Sequence, residues 1–120
     1  MKILAFDTSS DALTAGIYEN KKTLAEENPS GFARHSEVLL SVLEKLFKRA
    51  RIKPEGIDLI AVGLGPGSFT GLRVGITAAK ILAVAVKKKV IGIPSLEILA
   101  ASQEIEGPLT IITDAKRKQV

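Results

Sequence analysis

Four polar residues follow the first apolar run of the chain and are the first candidates for chemistry. They are a carboxylate and three hydroxyls: Asp7, Thr8, Ser9 and Ser10. In sheets flanked by helices, ligands usually bind beyond the carboxyl ends of the strands, where this cluster falls. A carboxylate and hydroxyls could hold hydrated Mg²⁺ and the phosphates of a nucleotide there. The alternative is a capped turn whose hydroxyls bond their own backbone.

A glycine-rich segment, residues 63–75, is the second candidate. Free backbone N–H groups converge in a glycine-rich turn that precedes a helix, so the turn could bind an anion. Two known phosphate motifs fail: residues 54–79 contain no lysine for a P-loop, and Thr70 replaces the third glycine of a dinucleotide fingerprint. Gly65 and Gly67 are therefore interpreted as structural, in a tight turn where backbones pass closely.

The predicted helix after this turn has small residues at every fourth position: Gly71, Gly75, Ala79 and Ala83. This spacing places them on one face of the helix. Glycine inside a helix costs about 1 kcal/mol relative to alanine, so this small-residue stripe needs a close approach as its reason. By analogy with helix pairs in membranes, it predicts contact with a partner helix. Packing against the chain's own sheet is the alternative.

Two side chains near the predicted helix starts could carry charge. Arg73 lies in the first turn of the second helix, where the helix dipole disfavours a cation. We expect it to form a structural salt bridge with Asp7 or Asp11, with an anion ligand as the functional alternative.

His35 begins the first helix, followed by a serine and a glutamate. Adjacent helix residues diverge, which disfavours a triad and favours a packing role.

The composition excludes several classes of site. The chain has 120 residues, no cysteine and no tryptophan, and one histidine. Disulfide scaffolds, thiol nucleophiles and multi-histidine zinc sites are therefore excluded. An aromatic content of 4% argues against base-stacking platforms for single-stranded nucleic acid. The net charge of +4 permits contact with polyanions without requiring it, and the basic clusters at helix ends are explained by the helix dipole.

Turn signals and apolar periodicity predict the element order β-β-β-α-β-α-β-α-β, with helices over residues 34–51, 70–86 and 95–103. This order indicates one α/β domain, with a mixed sheet covered by helices on both faces. The N-terminal apolar run is too short for a signal peptide, and the longest apolar stretch, residues 74–86, is too short for a bilayer span. We expect a cytoplasmic protein.

Four stretches of the sequence closely resemble the N-terminal domain of the TsaB (YeaZ) family. They are residues 7–10, 35–40, 65–75 and 114–117, and the eleven residues of 65–75 are the most specific. The resemblance covers essentially the whole chain. It implies an actin-like ATPase (ribonuclease H-like) fold with a mixed five-stranded sheet. The C-terminal lobe of the family lies outside these 120 residues.

The resemblance also implies a role as a scaffold that activates TsaD. With the ATPase TsaE, TsaD transfers a threonylcarbamoyl group to adenosine of tRNA, and this chain would meet the tRNA only indirectly. Family members pair with themselves or with TsaD through two helices of the N-terminal domain. The interface candidates here are therefore His35, Leu39, Leu43 and the small-residue stripe.

The resemblance implies no catalytic residue and no metal site. TsaD-like members carry a metal-binding histidine pair in the segment that aligns with Ser95 and Leu99, and these two residues cannot hold a metal. A nucleotide bound between two lobes would lack half its site here, so ATP or ADP with Mg²⁺ is expected to bind weakly. Two alternatives stay open: an ATP-binding enzyme of actin-like fold, and a peptidase of the M22 glycoprotease type.

Overall fold

The computed structural model describes residues 1–10, 13–29, 35–101, 107, 108 and 110, without the side chains of residues 35–37 and 99. Its elements follow the predicted order, and the last predicted strand, near residues 109–113, lies largely outside the described residues. The strands and helices are β1 (Lys2–Asp7), β2 (Thr14–Glu19), β3 (Lys22–Glu27), α1 (His35–Ala50), β4 (Leu59–Gly63), α2 (Phe69–Val86), β5 (Lys89–Ile93) and α3 (Ser95–Ala101). A 3₁₀ turn at Pro54–Gly56, which the sequence predicts only as a helix stop, precedes β4.

The five strands form one mixed sheet in the order β3-β2-β1-β4-β5. A two-residue turn joins β2 and β3 as an antiparallel hairpin, and β1 pairs antiparallel with β2. The pairs β1–β4 and β4–β5 are parallel, with α2 as the crossover between β4 and β5. Parallel neighbours need such a crossover, which places helix mass on a face of the sheet.

The main core lies between one face of the sheet and the helices α1 and α2. Alternation along the strands turns Leu4 and Phe6 of β1, and Ile60 and Val62 of β4, towards these helices. From α1, the fully buried Leu46 packs into the same core. Each such side chain contributes about 1.5–3 kcal/mol by leaving water. The opposite face of the sheet is bordered by α3, whose Ile98 lines a cavity there.

Candidate functional site

The polar cluster after β1 is divided between the two faces of the sheet. Asp7 lies on the face opposite α2, against the Cα of Gly63, and its carboxylate accepts a hydrogen bond from the Ser9 N–H at 2.8 Å. The next side chain, Thr8, points towards α2 and is 0% exposed. Its hydroxyl donates to the Gly71 carbonyl at 2.5 Å. Alternation along a strand forces this division, so the cluster does not form one polar surface.

The glycine-rich turn is held by hydrogen bonds from its own N–H groups. The Gly65 N–H donates to the Ser95 hydroxyl at 2.9 Å, and the Ser68 N–H donates to the Ser9 carbonyl at 2.6 Å. Gly65 has a φ of +86°, and a methyl group at Gly67 would overlap the Ser9 carbonyl. The structural interpretation of Gly65 and Gly67 is therefore confirmed. These N–H groups are not free for an anion.

The small-residue stripe packs against the chain's own sheet. Gly71, Gly75, Ala79 and Ala83 are all buried, and a methyl group at Gly75 would overlap the Thr8 hydroxyl. The prediction that this stripe contacts a partner helix is wrong. The stripe is small because α2 must come close enough for a backbone carbonyl of its first turn to meet Thr8.

The outer side of the helix pair is apolar and open. A groove of about 620 Å³ runs between α1 and α2. Large apolar side chains stand on this side, with Leu40 70% exposed, Ile81 65% and Val84 78%. We call these three residues and the groove the outer apolar face. Apolar exposure of this kind on neighbouring helices marks a surface for protein contact.

The other predicted interface residues lie below this face or outside the description. Leu39 and Leu43 are buried core residues that form part of the groove lining. They form the floor of the groove, and their role as interface residues stays a prediction. His35 opens α1, but its side chain is not among those described, so its role stays a prediction.

Arg73 lies in the groove lining. Its guanidinium carbon is 5.4 Å from the centre of the Phe69 ring, within cation–π range. The predicted bond with Asp7 is wrong because Asp7 is on the opposite face of the sheet, and Asp11 lies outside the described residues. Among the residues that are described, no carboxylate lies within 4 Å of Arg73. Arg73 therefore contributes a cation to the lining of the apolar groove.

Known proteins share both this sequence and this arrangement of elements. The family described as "TsaD: tRNA N6-adenosine threonylcarbamoyltransferase" matches residues 19–120. The chain belongs to this family. Its relatives include the tRNA threonylcarbamoyladenosine biosynthesis protein TsaB of Bacillus subtilis, 35% identical over 100% of this chain and 53% of the relative. TsaB of Escherichia coli is 31% identical over 83% of this chain and 43% of the relative.

Solved structures agree with the TsaB (YeaZ) group within the TsaD family. YeaZ from Pseudomonas aeruginosa has a TM-score of 0.76 and 31% identity, covering 82% of this chain and 45% of that protein. A second structure, with a TM-score of 0.77 and 31% identity, is described as similar to the peptidase YeaZ. The resemblance and the fold class are confirmed. The chain spans about half the length of the curated relatives it matches.

The nucleotide site that an actin-like fold implies has few residues to build it here. Thr8 is 0% exposed and Ser9 is 5% exposed, so neither hydroxyl can reach a phosphate. The prediction that they bind nucleotide directly is wrong, and of the cluster only Asp7 and Ser10 stay accessible. In the part of the chain that the structure describes, no three His, Cys, Asp or Glu side chains form a group that could hold a metal ion. Weak binding of a Mg²⁺-nucleotide through Asp7 and Ser10 stays a prediction.

A second cavity, of about 250 Å³, opens on the sheet face opposite α2. Asp7, Tyr18 and Ile98 contribute to its lining. Burial raises the pKa of Tyr18, and the nearby Glu26 carboxylate, to which the hydroxyl donates at 3.1 Å, raises it further. The Tyr18 phenol is thus held neutral, as the donor of a hydrogen bond to the Glu26 carboxylate.

Sequence reasoning missed the outer apolar face. The sequence contained the signal, because α2 is apolar on both sides. Such a helix normally buries both sides against other parts of the protein or against another molecule. By length and composition alone α2 could also cross a membrane. Since its stripe is packed on the sheet, we interpret it as a helix of the domain core with a second apolar side.

Proposed function

We propose that the chain acts as a non-catalytic subunit in the biosynthesis of threonylcarbamoyladenosine in tRNA, where it binds and activates a TsaD protein. One observation carries the proposal: the outer apolar face of α1 and α2 stands exposed in a domain whose TsaB relatives are named for this pathway. Large apolar side chains at the centre of a surface provide most of the binding free energy of protein interfaces.

The make-up of the face favours a pair of helices as its partner. Ile81 and Val84 project from one long helix, and Leu40 projects from its neighbour across the groove. Thr70, Thr77 and Arg73 give the groove a few polar groups, as the rim of an interface requires. Helices of a TsaD protein, or of a second copy of this chain, can lay an apolar ridge in such a groove. We propose that the chain forms a homodimer when TsaD is absent.

The non-catalytic role is supported by the hydrogen bonds that the candidate functional groups already form within the chain. The Thr8 hydroxyl bonds α2, and the N–H groups of Gly65 and Ser68 bond Ser95 and Ser9. An ATP-binding enzyme would need these groups for phosphates, and a peptidase would need an activated nucleophile. One observation favours the peptidase alternative: the chain is similar to a solved structure that is itself described as similar to the peptidase YeaZ.

The remaining parts of the proposal concern cofactors, location and TsaE. We propose that no cofactor binds tightly, since Asp7 is the one accessible carboxylate of the polar cluster after β1. The protein would work in the cytoplasm, where tRNA is modified, and TsaE would join through the complex with TsaD. Each of these statements depends on the first, because a chain that does not bind TsaD has no place in the complex.

The experiment replaces Ile81 and Val84 together by glutamate and measures mass by size-exclusion chromatography with light scattering. The unmodified chain should elute at twice its monomer mass, and with the TsaD protein of the same organism as a heterodimer. The double variant should elute as a folded monomer and bind TsaD at least tenfold more weakly. Exposed substitutions change stability by about 0.5 kcal/mol or less, so folding should be kept.

The matched control is Ile98→Glu, which makes the same exchange on α3, at the other face of the sheet. Ile98 is also partly exposed. This variant should keep both the dimer and the TsaD complex. The proposal is overturned if the double variant binds TsaD as the unmodified chain does, or if the control loses binding equally.

A further inference from the structure

The edge of the sheet at the amino ends of β1, β4 and β5 carries a row of lysines. The register places Lys2 beside Glu19, Lys22 across from Glu19 on the next strand, and Lys89 beside the first residue of β4. We call this row the basic edge; it consists of Lys2, Lys21, Lys22, Lys87, Lys88, Lys89 and the amino group of Met1. With neighbouring strands about 4.8 Å apart, five strands span about 19 Å.

Few carboxylates offset this charge, and two that do are already engaged. The Glu19 carboxylate pairs with the Lys2 ammonium at 3.2 Å. The Asp58 carboxylate accepts the Lys2 backbone N–H at 2.7 Å, which lowers the pKa of Asp58, with smaller contributions from Lys88 and the amino terminus. The amino group of Met1 donates to the Asn20 side chain at 3.3 Å. These contacts place the Asn20 side chain and the Asp58 carboxylate beside the start of β1, in the middle of the row.

Two lysines of the basic edge occupy backbone positions that favour glycine. Lys21 has a φ of +68° as the second residue of the β2–β3 turn, where Asn-Gly is preferred. Lys87 has a φ of +57° and ends α2, with the Lys88 N–H bonded to the Ala83 carbonyl. Glycine is the usual residue at that position. The helix dipole favours a cation at this end of α2, but it does not require one at a left-handed backbone position.

Lysine at these positions therefore lowers the stability of the fold in two ways: through backbone strain, and through repulsion from the other lysines of the basic edge. We propose that the basic edge binds the phosphate backbone of double-stranded RNA. One strand of a DNA duplex has a phosphate for about every 3.4 Å of helix axis, so on that scale a row of about 19 Å can face several phosphates of one strand of a duplex. The edge has no aromatic side chain in the described residues, so it cannot stack unpaired bases and suits contact with a duplex by charge and shape.

The choice of RNA among polyanions rests on the proposed function, because the TsaB relatives are named for a tRNA modification. A direct contact with tRNA would then replace the indirect one expected for this subunit. Stem phosphates would lie against the basic edge at the start of β1. The outer apolar face would stay free for TsaD.

The test combines Lys21→Gly and Lys87→Gly in one variant of the chain and measures two properties. Thermal unfolding should show a melting temperature higher by about 5 °C, because glycine relieves the strain at both positions. Fluorescence anisotropy with a labelled 16-base-pair RNA duplex should show binding at least fivefold weaker at 100 mM salt. The slope of log K against log salt should become shallower by about two, because each of the two lysines would no longer neutralise a phosphate. A gain in stability combined with weaker binding is the signature that a structural role cannot produce.

The control is Lys48→Gln with Lys80→Gln, which removes the same charge from two exposed positions of α1 and α2 outside the groove. It should bind the duplex within twofold of the unmodified chain. Three results would overturn the inference: no duplex binding up to 200 μM at 50 mM salt, unchanged binding by the double glycine variant, or an equal weakening in the control. Tighter binding to phosphatidylserine vesicles than to the duplex would assign the edge to a membrane instead. TsaD is absent from this assay, so its result does not depend on whether the chain binds TsaD.

Discussion

The two sides of α2 are both apolar, but they follow opposite rules of residue size. The side that faces the sheet has only Gly71, Gly75, Ala79 and Ala83, and all are buried. The outer side has Ile81 and Val84, which are large and mostly exposed. Small residues reveal a surface that already has its neighbour within the same chain. Large exposed residues mark the surface that we propose for contact with another molecule.

This comparison changes how the small-residue pattern should be interpreted. In a membrane, lipid offers no contrast in polarity, so small residues are the main sign of a helix contact. In an α/β domain, the backbone closest to a helix is that of the sheet in the same chain. The stripe of α2 is thus explained by close packing on the sheet, where Gly71 and Gly75 meet Thr8. The candidate docking surface is the opposite side of the helix.

The largest expected effect is at the inner side. Gly75→Leu places a side chain where even a methyl group would overlap the Thr8 hydroxyl. Overpacking of this kind costs about 3 kcal/mol, so we expect the urea midpoint to fall sharply and the chain to lose dimer and TsaD binding by unfolding. If the Gly75→Leu variant keeps its urea midpoint but no longer binds TsaD, the small-residue stripe is part of the interface after all.

A double-mutant cycle isolates the contact behind this effect. Gly75→Ala should destabilise the unmodified chain, and the same change should cost less in a Thr8→Ala background, where the overlapping oxygen is gone. Residues in direct contact couple by about 0.5–3 kcal/mol. Additive effects of Gly75→Ala and Thr8→Ala would contradict the close approach.

The next effect tests whether the glycine turn is equally close-packed. Gly67→Ala would place a methyl group on the Ser9 carbonyl, a backbone atom that cannot rotate away. We expect a loss of about 2 kcal/mol in urea unfolding. Gly56→Ala is the control, since its methyl group would have ordinary contact with Ile52 at 3.9 Å and should change stability by about 0.5 kcal/mol or less. Equal effects at both sites would mean that the turn has spare room.

Local signals predicted most of the fold. Alternation in β1 and periodicity in α1 are properties of the covalent chain, and they indicated the element order without any knowledge of contacts. The turn role of Gly65 was also predicted correctly, because a positive φ is a demand that glycine alone meets easily. Element ends were less certain, as the 3₁₀ turn at Pro54–Gly56 shows.

The site could not be predicted in the same way, because it depends on which face each side chain takes. Asp7 and Thr8 are adjacent in sequence, yet one lies against Gly63 and the other against Gly75. Adjacency alone predicted one cluster, with Arg73 reaching Asp7. Only the three-dimensional sheet separates them. The apolar outer side of α2 was visible in the sequence, but the prediction named the small residues of the helix as its interface.

The smallest effect compares two alanines of α2 that are two residues apart. Ala83 is buried against the sheet, and Ala85 is exposed in the groove lining. Ala83→Leu should cost about 1–2 kcal/mol in urea unfolding through overpacking. Ala85→Leu adds the same atoms on the other side, where there is room, and should change stability by about 0.5 kcal/mol or less. Both variants make the same alanine-to-leucine exchange in the same helix, so charge and helix propensity change equally in both. A difference in stability between them therefore reflects the packing on the two sides of α2. If both variants lost the same stability, the outer side would already be packed within the monomer, and the surface assigned to TsaD would not exist.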